Sequence, residues 1–91
     1  MYSIQYTNRF KKDIKRCKKR GLDLSLLSAI IDQLQKTGEL PSEYKPHKLK
    51  GNYSGLNECH IKPDWLLVWG QNNKELTLLF MYTGSHSDLF E

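Results

Sequence analysis

Ninety-one residues, 38% hydrophobic and 26% charged with no low-complexity tract, exclude a disordered chain and leave room for one domain, read here as residues 1–91 around one core. The longest uncharged apolar run, Trp65-Leu66-Leu67-Val68-Trp69, falls far short of the ~20 residues that cross a membrane, and Met1 to Gln5 has no basic-then-apolar leader pattern, so a cytoplasmic chain is expected. Charge is lopsided: residues 1–50 carry twelve Lys/Arg against five Asp/Glu (+7) and residues 51–91 two against five (−3), which points to a polyanion or an acidic protein as partner of the first half.

Tyr2, Ile4 and Tyr6 alternate with Ser3 and Gln5, the period-two pattern of a half-buried strand. Thr7 is positioned to cap a helix in which Phe10, Ile14 and Cys17 form a narrow apolar stripe among basic residues, closing near Gly21. Asp23 caps a second helix, with Leu24, Leu27, Ile30, Ile31 and Leu34 on one face and a stop at Gly38, so a hairpin is expected whose second helix is the more buried. The stretch Glu39 to Gly55, with Pro41, Pro46, Gly51 and Gly55, reads as a long ordered loop of the kind that often carries function. Three strands follow as an antiparallel meander, Leu56–Lys62, Trp65–Trp69 and Glu75–Tyr82, turning at Pro63-Asp64 and at Gly70–Lys74. The tail from Thr83 to Glu91 is a loop or one helical turn. The sum is an α+β fold of order β-α-α-β-β-β, a helical hairpin on one side of a mainly antiparallel four-stranded sheet. Cys17 and Cys59 could make one bridge at most, which is no disulfide framework, and are read as reduced apolar fillers.

The meander returns the chain to the same sheet end after each pair of strands, so His60, Asp64 and His86 converge there. Glu58, His60 and Lys62 share one face by the two-residue rule, opposite Cys59 and Ile61. Imidazole titrates near neutrality and suits general acid–base work. RNA cleavage needs such a pair, one group taking the 2′-hydroxyl proton and another protonating the leaving 5′-oxygen, with cations or hydrogen bonds on the phosphate and no metal required. The rival, a metal site of His47, His60, His86 and Asp64, has spacings of thirteen and twenty-six between its histidines that match no short ligand motif, so no metal or cofactor is expected. Of the aromatics, Trp65 and Phe90 at this sheet end are the expected base-stacking groups.

Three segments carry a resemblance: Tyr44-Lys45-Pro46-His47-Lys48-Leu49-Lys50-Gly51, Glu58-Cys59-His60-Ile61-Lys62-Pro63-Asp64-Trp65 and Thr83-Gly84-Ser85-His86-Ser87-Asp88-Leu89-Phe90. Together they resemble the YafQ-type branch of the RelE/ParE toxin superfamily over essentially the whole chain. The resemblance implies a RelE-like fold and the toxin of a type II toxin–antitoxin pair, a ribosome-dependent, metal-independent mRNA endonuclease. It implies His47, His60, Asp64 and His86 as the acid–base group, His86 foremost, with base and acid unassigned, and Trp65 and Phe90 as holders of the message. Where the family tends to have arginines this chain has Tyr82 and Asn57, and Lys48, Lys50 and Lys62 are the cations left to meet phosphate, with the Tyr82 phenol as a hydrogen-bond donor. Implied partners are the ribosome, mRNA and an acidic antitoxin in a hetero-oligomer. Two other readings stay open: a weak or inactive binding module of the same fold, and a ParE-like toxin acting on gyrase.

Overall fold

The computed structural model describes residues 1–90; Glu91, the end of the expected tail, lies outside them. The elements are β1 (Ser3–Tyr6), α1 (Asn8–Lys19), α2 (Leu24–Thr37), β2 (His47–Lys48), β3 (Asn57–Lys62), β4 (Trp65–Asn72), β5 (Thr77–Gly84) and α3 (His86–Phe90), with single 3₁₀ turns at Ser42–Tyr44 and Gly51–Tyr53. One sheet runs β1-β5-β4-β3-β2. Its pairs are antiparallel except β1 with β5, which are parallel, so the first strand docks on the last.

The expected four strands are five. Two residues of the predicted loop, His47 and Lys48, pair with Glu58 and Asn57, and Leu49 N–H donates to Leu56 O at 2.8 Å. So short a strand has no period of its own to read; its partner strand makes it. The β4–β5 turn also falls later than expected. Asn72 Oδ1 accepts the N–H groups of Lys74 and Glu75, each at 3.0 Å, and Leu76 takes φ 54°, so Gly70 and Gln71 stay in β4.

The local signals for the helices hold. Thr7 Oγ1 accepts Phe10 N–H at 3.0 Å to cap α1, and Asp23 Oδ1 accepts Ser25 N–H at 3.0 Å to cap α2, which ends on Gly38 at φ 74°. Leu27, Ile30 and Leu34 of α2 are buried as expected. The narrow stripe of α1 goes equally deep: Phe10 and Cys17 are fully buried, and Tyr6 stacks on Phe10 and Phe80. Both cysteines are free and buried, and burial pushes the Cys59 thiol up to about 12.

β4 is the central strand, and its apolar run explains the layering. Trp65, Leu67 and Trp69 belong to the main core under the helices, while Leu66 and Val68 face the other side with Leu89 of α3. That second face is only partly roofed, by Leu49, Leu56, Tyr82 and α3. A register slip between Val68 and Trp69 leaves Met81 unpaired, so Tyr82 lies opposite Val68 on the open face and Thr83 opposite Leu67 on the core face.

Candidate active site

Two cross-strand rows build the open face. His47, Glu58, Val68 and Tyr82 follow one another across β2, β3, β4 and β5, and His60, Leu66 and Gly84 form the next row toward the sheet end. Asp64 stands in the turn beyond that row and His86 opens α3 two residues after Gly84. The three imidazoles form a chain, with ring centroids 6.3 Å apart for His47 and His60 and 6.1 Å for His60 and His86. The convergence expected of His60, Asp64 and His86 is therefore present, and the short strand β2 adds His47.

Hydrogen bonds fix the ring nitrogens. Asp64 Oδ1 accepts both the backbone N–H of His86 at 3.0 Å and its ring Nδ1 at 2.8 Å, which holds the Asp64 carboxyl below the usual carboxylate range, the backbone bond first. His60 Nδ1 lies 3.3 Å from Pro63 O, and a carbonyl only accepts, so a hydrogen sits on Nδ1, while Nε2 has no hydrogen-bond partner among the described residues. His86 likewise keeps Nε2 free. His47 differs: Nδ1 is hydrogen-bonded to Lys45 O at 2.8 Å, and Nε2 lies within ion-pair distance of Glu58 Oε1, at 3.1 Å.

Arginines of α1 hold α3 in place. Arg20 grips Asp88 through Nη1–Oδ2 at 2.5 Å and Nη2–Oδ1 at 3.0 Å, Arg16 Nε is 3.7 Å from the same carboxylate, and Arg9 donates to the Asp88 carbonyl at 3.2 Å. Ser85 N–H also donates to Asp88 Oδ2, at 2.9 Å, and a Cβ on Gly84 would sit 2.7 Å from that oxygen, so only glycine lets the chain pass. The Arg20 hydrogen bonds, then the Ser85 bonds and the Arg16 charge, hold the Asp88 carboxyl well below its ordinary range. A carboxyl depressed on folding stabilises the native state above its unfolded pKa, about 3.9, and loses that contribution as pH falls toward the folded value. The denaturation midpoint should therefore drop below about pH 4 through this group, and Asp88→Asn should lower the neutral midpoint and flatten the acid limb. An unchanged acid limb would show that Asp88 does not carry the docking.

A family model described as bacterial toxin of type II toxin-antitoxin system, YafQ, matches residues 2–91. The chain belongs to the YafQ toxin family. It is 36% identical over 88 residues to the mRNA interferase toxin YafQ of Escherichia coli strain K12, covering 96% of this chain and 94% of that protein. Its structure is similar to YafQ in the crystal structure of the E. coli DinJ-YafQ toxin-antitoxin complex, with TM-score 0.89 at 34% identity over 99% of this chain and 98% of the other. It is equally similar to a metal-bound toxin from Helicobacter pylori, with TM-score 0.89 at 42% identity over 99% and 100%. Among the described residues no three His, Cys, Asp or Glu side chains group as a metal cage.

The remaining expected residues of this YafQ-family chain divide. Trp65 is 3% exposed and donates Nε1–H to Thr83 Oγ1 at 3.0 Å on the helix side, so its ring is closed to a base; strand alternation turns it away from Leu66 and the histidines. Phe90 is 38% exposed, 6.4 Å from the His86 ring and edge-on to Tyr53 at 5.2 Å. Lys48, Lys50 and Lys62 are exposed and make no ion pair among the described residues. Lys48 points away from His47 by alternation, whereas Lys62 borders a cleft of about 300 Å³ beside His60. Tyr82 carries the Arg9 guanidinium 4.6 Å above its ring. Arg9, Tyr53 and Glu58 border this face as well; Tyr53 was readable only as one of several aromatics able to stack on a base, Arg9 only as part of the basic run, and Glu58 as sharing the face of His60 at a two-residue spacing.

Proposed function

We propose that the protein is a ribosome-dependent mRNA endonuclease that arrests translation and is neutralised by an acidic antitoxin. The observation that carries this is the chain of three imidazoles on the open face, two with an unpartnered Nε2 and one of those aligned by Asp64. One of these nitrogens takes the 2′-hydroxyl proton, the oxygen attacks phosphorus, the P–O5′ bond breaks and a protonated imidazole gives its proton to the leaving 5′-oxygen, leaving a 2′,3′-cyclic phosphate and a 5′-hydroxyl without a metal. Phe90 and Tyr53 offer rings to a splayed base, while Lys62, Lys50 and Lys48 meet backbone phosphates. Arg9, lying on Tyr82, returns a guanidinium to a strand position where the resemblance expects one.

The relatives support the reading in name: one is called an mRNA interferase toxin and another is crystallised with its antitoxin DinJ. An antitoxin for this chain would be acidic along its wrapping segment, matching the exposed lysines of α1, in a cytoplasmic hetero-oligomer. The test is incubation of chelator-treated protein with ribosomes carrying a defined message, mapping cuts and end chemistry. Cuts in the decoding site ending in cyclic phosphate are expected. No cleavage by folded protein would overturn the endonuclease reading in favour of a binding module or a gyrase-directed toxin.

A further inference from the structure

A cavity of about 470 Å³, of the size that small molecules occupy, opens on the helix-facing side of the sheet between β2, β3, β4 and the end of α2. Lys48, Asn57 and Trp69 follow one another across the three strands and share a face, so this row lies on the reverse of His47, Glu58 and Val68. Helix α2 covers Trp69, which is 3% exposed, but stops at Gly38 and leaves Asn57 half-buried and Lys48 exposed. The polar side of the cavity is set in advance. Trp69 Nε1–H can only donate and meets Gln71 Oε1 at 3.0 Å, which leaves Gln71 Nε2 to donate to Gly38 O at 3.0 Å and to Asn73 Oδ1 at 2.8 Å. Asn73 Oδ1 also accepts the Tyr2 hydroxyl at 2.7 Å, so the hydrogens on its Nδ2 are the unspent end of the network. The Asn57 amide makes no hydrogen bond among the described residues and keeps both a donor and an acceptor. Charge divides the cavity as well. Glu39 and the carbonyl end of α2, anchored over β4 through Gly38, make one end negative; Lys48 stands two strands away, about 10 Å, and has no ion pair among the described residues.

We infer that this cavity is a binding site for an adenosine monophosphate unit, free or within single-stranded RNA. An asparagine amide suits adenine, whose N6 amino group and neighbouring ring nitrogen pair with the oxygen and NH₂ of one side chain. Asn57, in the middle of the row, is the reader. The amino group is drawn to the Glu39 end and the phosphate to Lys48, so charge fixes the direction in which the nucleotide lies. Asn73 Nδ2 is left for the remaining ring acceptors, and Leu40 and Pro46 give the ring an apolar wall. Uracil has no amino group and would turn a carbonyl oxygen against Glu39. The site binds and does not react: it lies across the sheet from the imidazoles, and the inference stands without the endonuclease reading.

The test is titration of the ¹⁵N-labelled full chain with adenosine monophosphate and, separately, with uridine monophosphate, following the side-chain amide signals of Asn57 and Asn73. The adenine nucleotide should shift both amides saturably and bind about tenfold more tightly than the uracil one, toward the lower end of what a bidentate base contact discriminates. Asn57→Asp keeps the shape but loses the donor, and should abolish that preference with the rest of the spectrum unmoved. Asn73→Ala, in an exposed turn, gives a second reading if the first variant fails to fold: it should weaken binding about fivefold, the worth of one neutral hydrogen bond. A short oligoadenylate that moves the same signals at lower concentration than the mononucleotide assigns the site to RNA, and equal affinity assigns it to the free nucleotide. Equal affinity for the two mononucleotides overturns the inference, as do shifts confined to the histidine face, the absence of a saturable shift at millimolar nucleotide, or an adenine preference retained by folded Asn57→Asp.

Discussion

Replacing His86 with alanine should lower cleavage of ribosome-bound message by roughly 10²–10⁴-fold, the span a positioned general acid or base contributes, while leaving the protein folded. Alanine removes the ring and its bond to Asp64 but keeps the backbone N–H that donates to the same oxygen at 3.0 Å, and it leaves the Asp88 grip untouched. The side chain is 57% exposed, so stability should change by no more than about 0.5 kcal/mol. Asp64→Ala provides the contrast. It removes the acceptor of both bonds, so it should disorient His86 and loosen the start of α3 together. Single-turnover cleavage and a denaturation curve on each variant check the pair. An alanine variant at position 86 that cleaves like the wild type would remove this histidine from the chemistry.

The parts of the fold that repeat were legible, and the parts made by pairing were not. Alternation identified β1 and β3, and helical spacing identified both helices, because each pattern records which side chains must be buried. The run Trp65 to Trp69 marked a strand, and its unbroken apolar composition matches the central place the structure gives it, with side chains buried on either face. Beta2 had no such record, since its two residues owe their conformation to Glu58 and Asn57. The slip at Met81 was equally silent, yet it decides that Tyr82 faces the histidines and Thr83 the core.

The charge of α1 shows the same limit from the other side. Arg9, Asp13, Arg16 and Arg20 recur at spacings of four, three and four, a polar stripe at helical period, but a basic run offers no sign of which cations turn inward. The structure uses the arginines of that stripe on Asp13 and Asp88 and leaves the lysines to solvent. The forked guanidinium suits the first task, being able to grip both oxygens of one carboxylate as Arg20 does. The basic half of the chain thus divides, with arginines positioning the helix that bears His86 and Phe90 and lysines left as an exposed basic surface.

Asp13→Ala should be the most destabilising single change among these polar groups, by about 3 kcal/mol. Asp13 is 2% exposed inside α1; its Oδ2 accepts the backbone N–H of Thr83 at 3.2 Å and its Oδ1 accepts Arg16 at 2.8 Å. Removing the carboxylate strands a fully buried N–H and leaves Arg16, whose Nε already has no hydrogen-bond partner, with only the long contacts to Asp88 at 3.7 Å and the Thr83 carbonyl at 3.5 Å. Against a total stability of about 5–15 kcal/mol the loss is large, and in a domain of this size it corresponds to a fall in melting temperature on the order of 15 °C. Asp13→Asn keeps a carbonyl oxygen for Thr83 N–H and should lose less, whereas Lys15→Ala on the solvent side should fall within about 0.5 kcal/mol of the wild type. Denaturant midpoints with unchanged slopes would check the order. Equal midpoints for the alanine and lysine variants would mean that the Thr83 backbone finds another acceptor, and with it that the descent from β5 into Gly84, Ser85 and His86 is not set by α1.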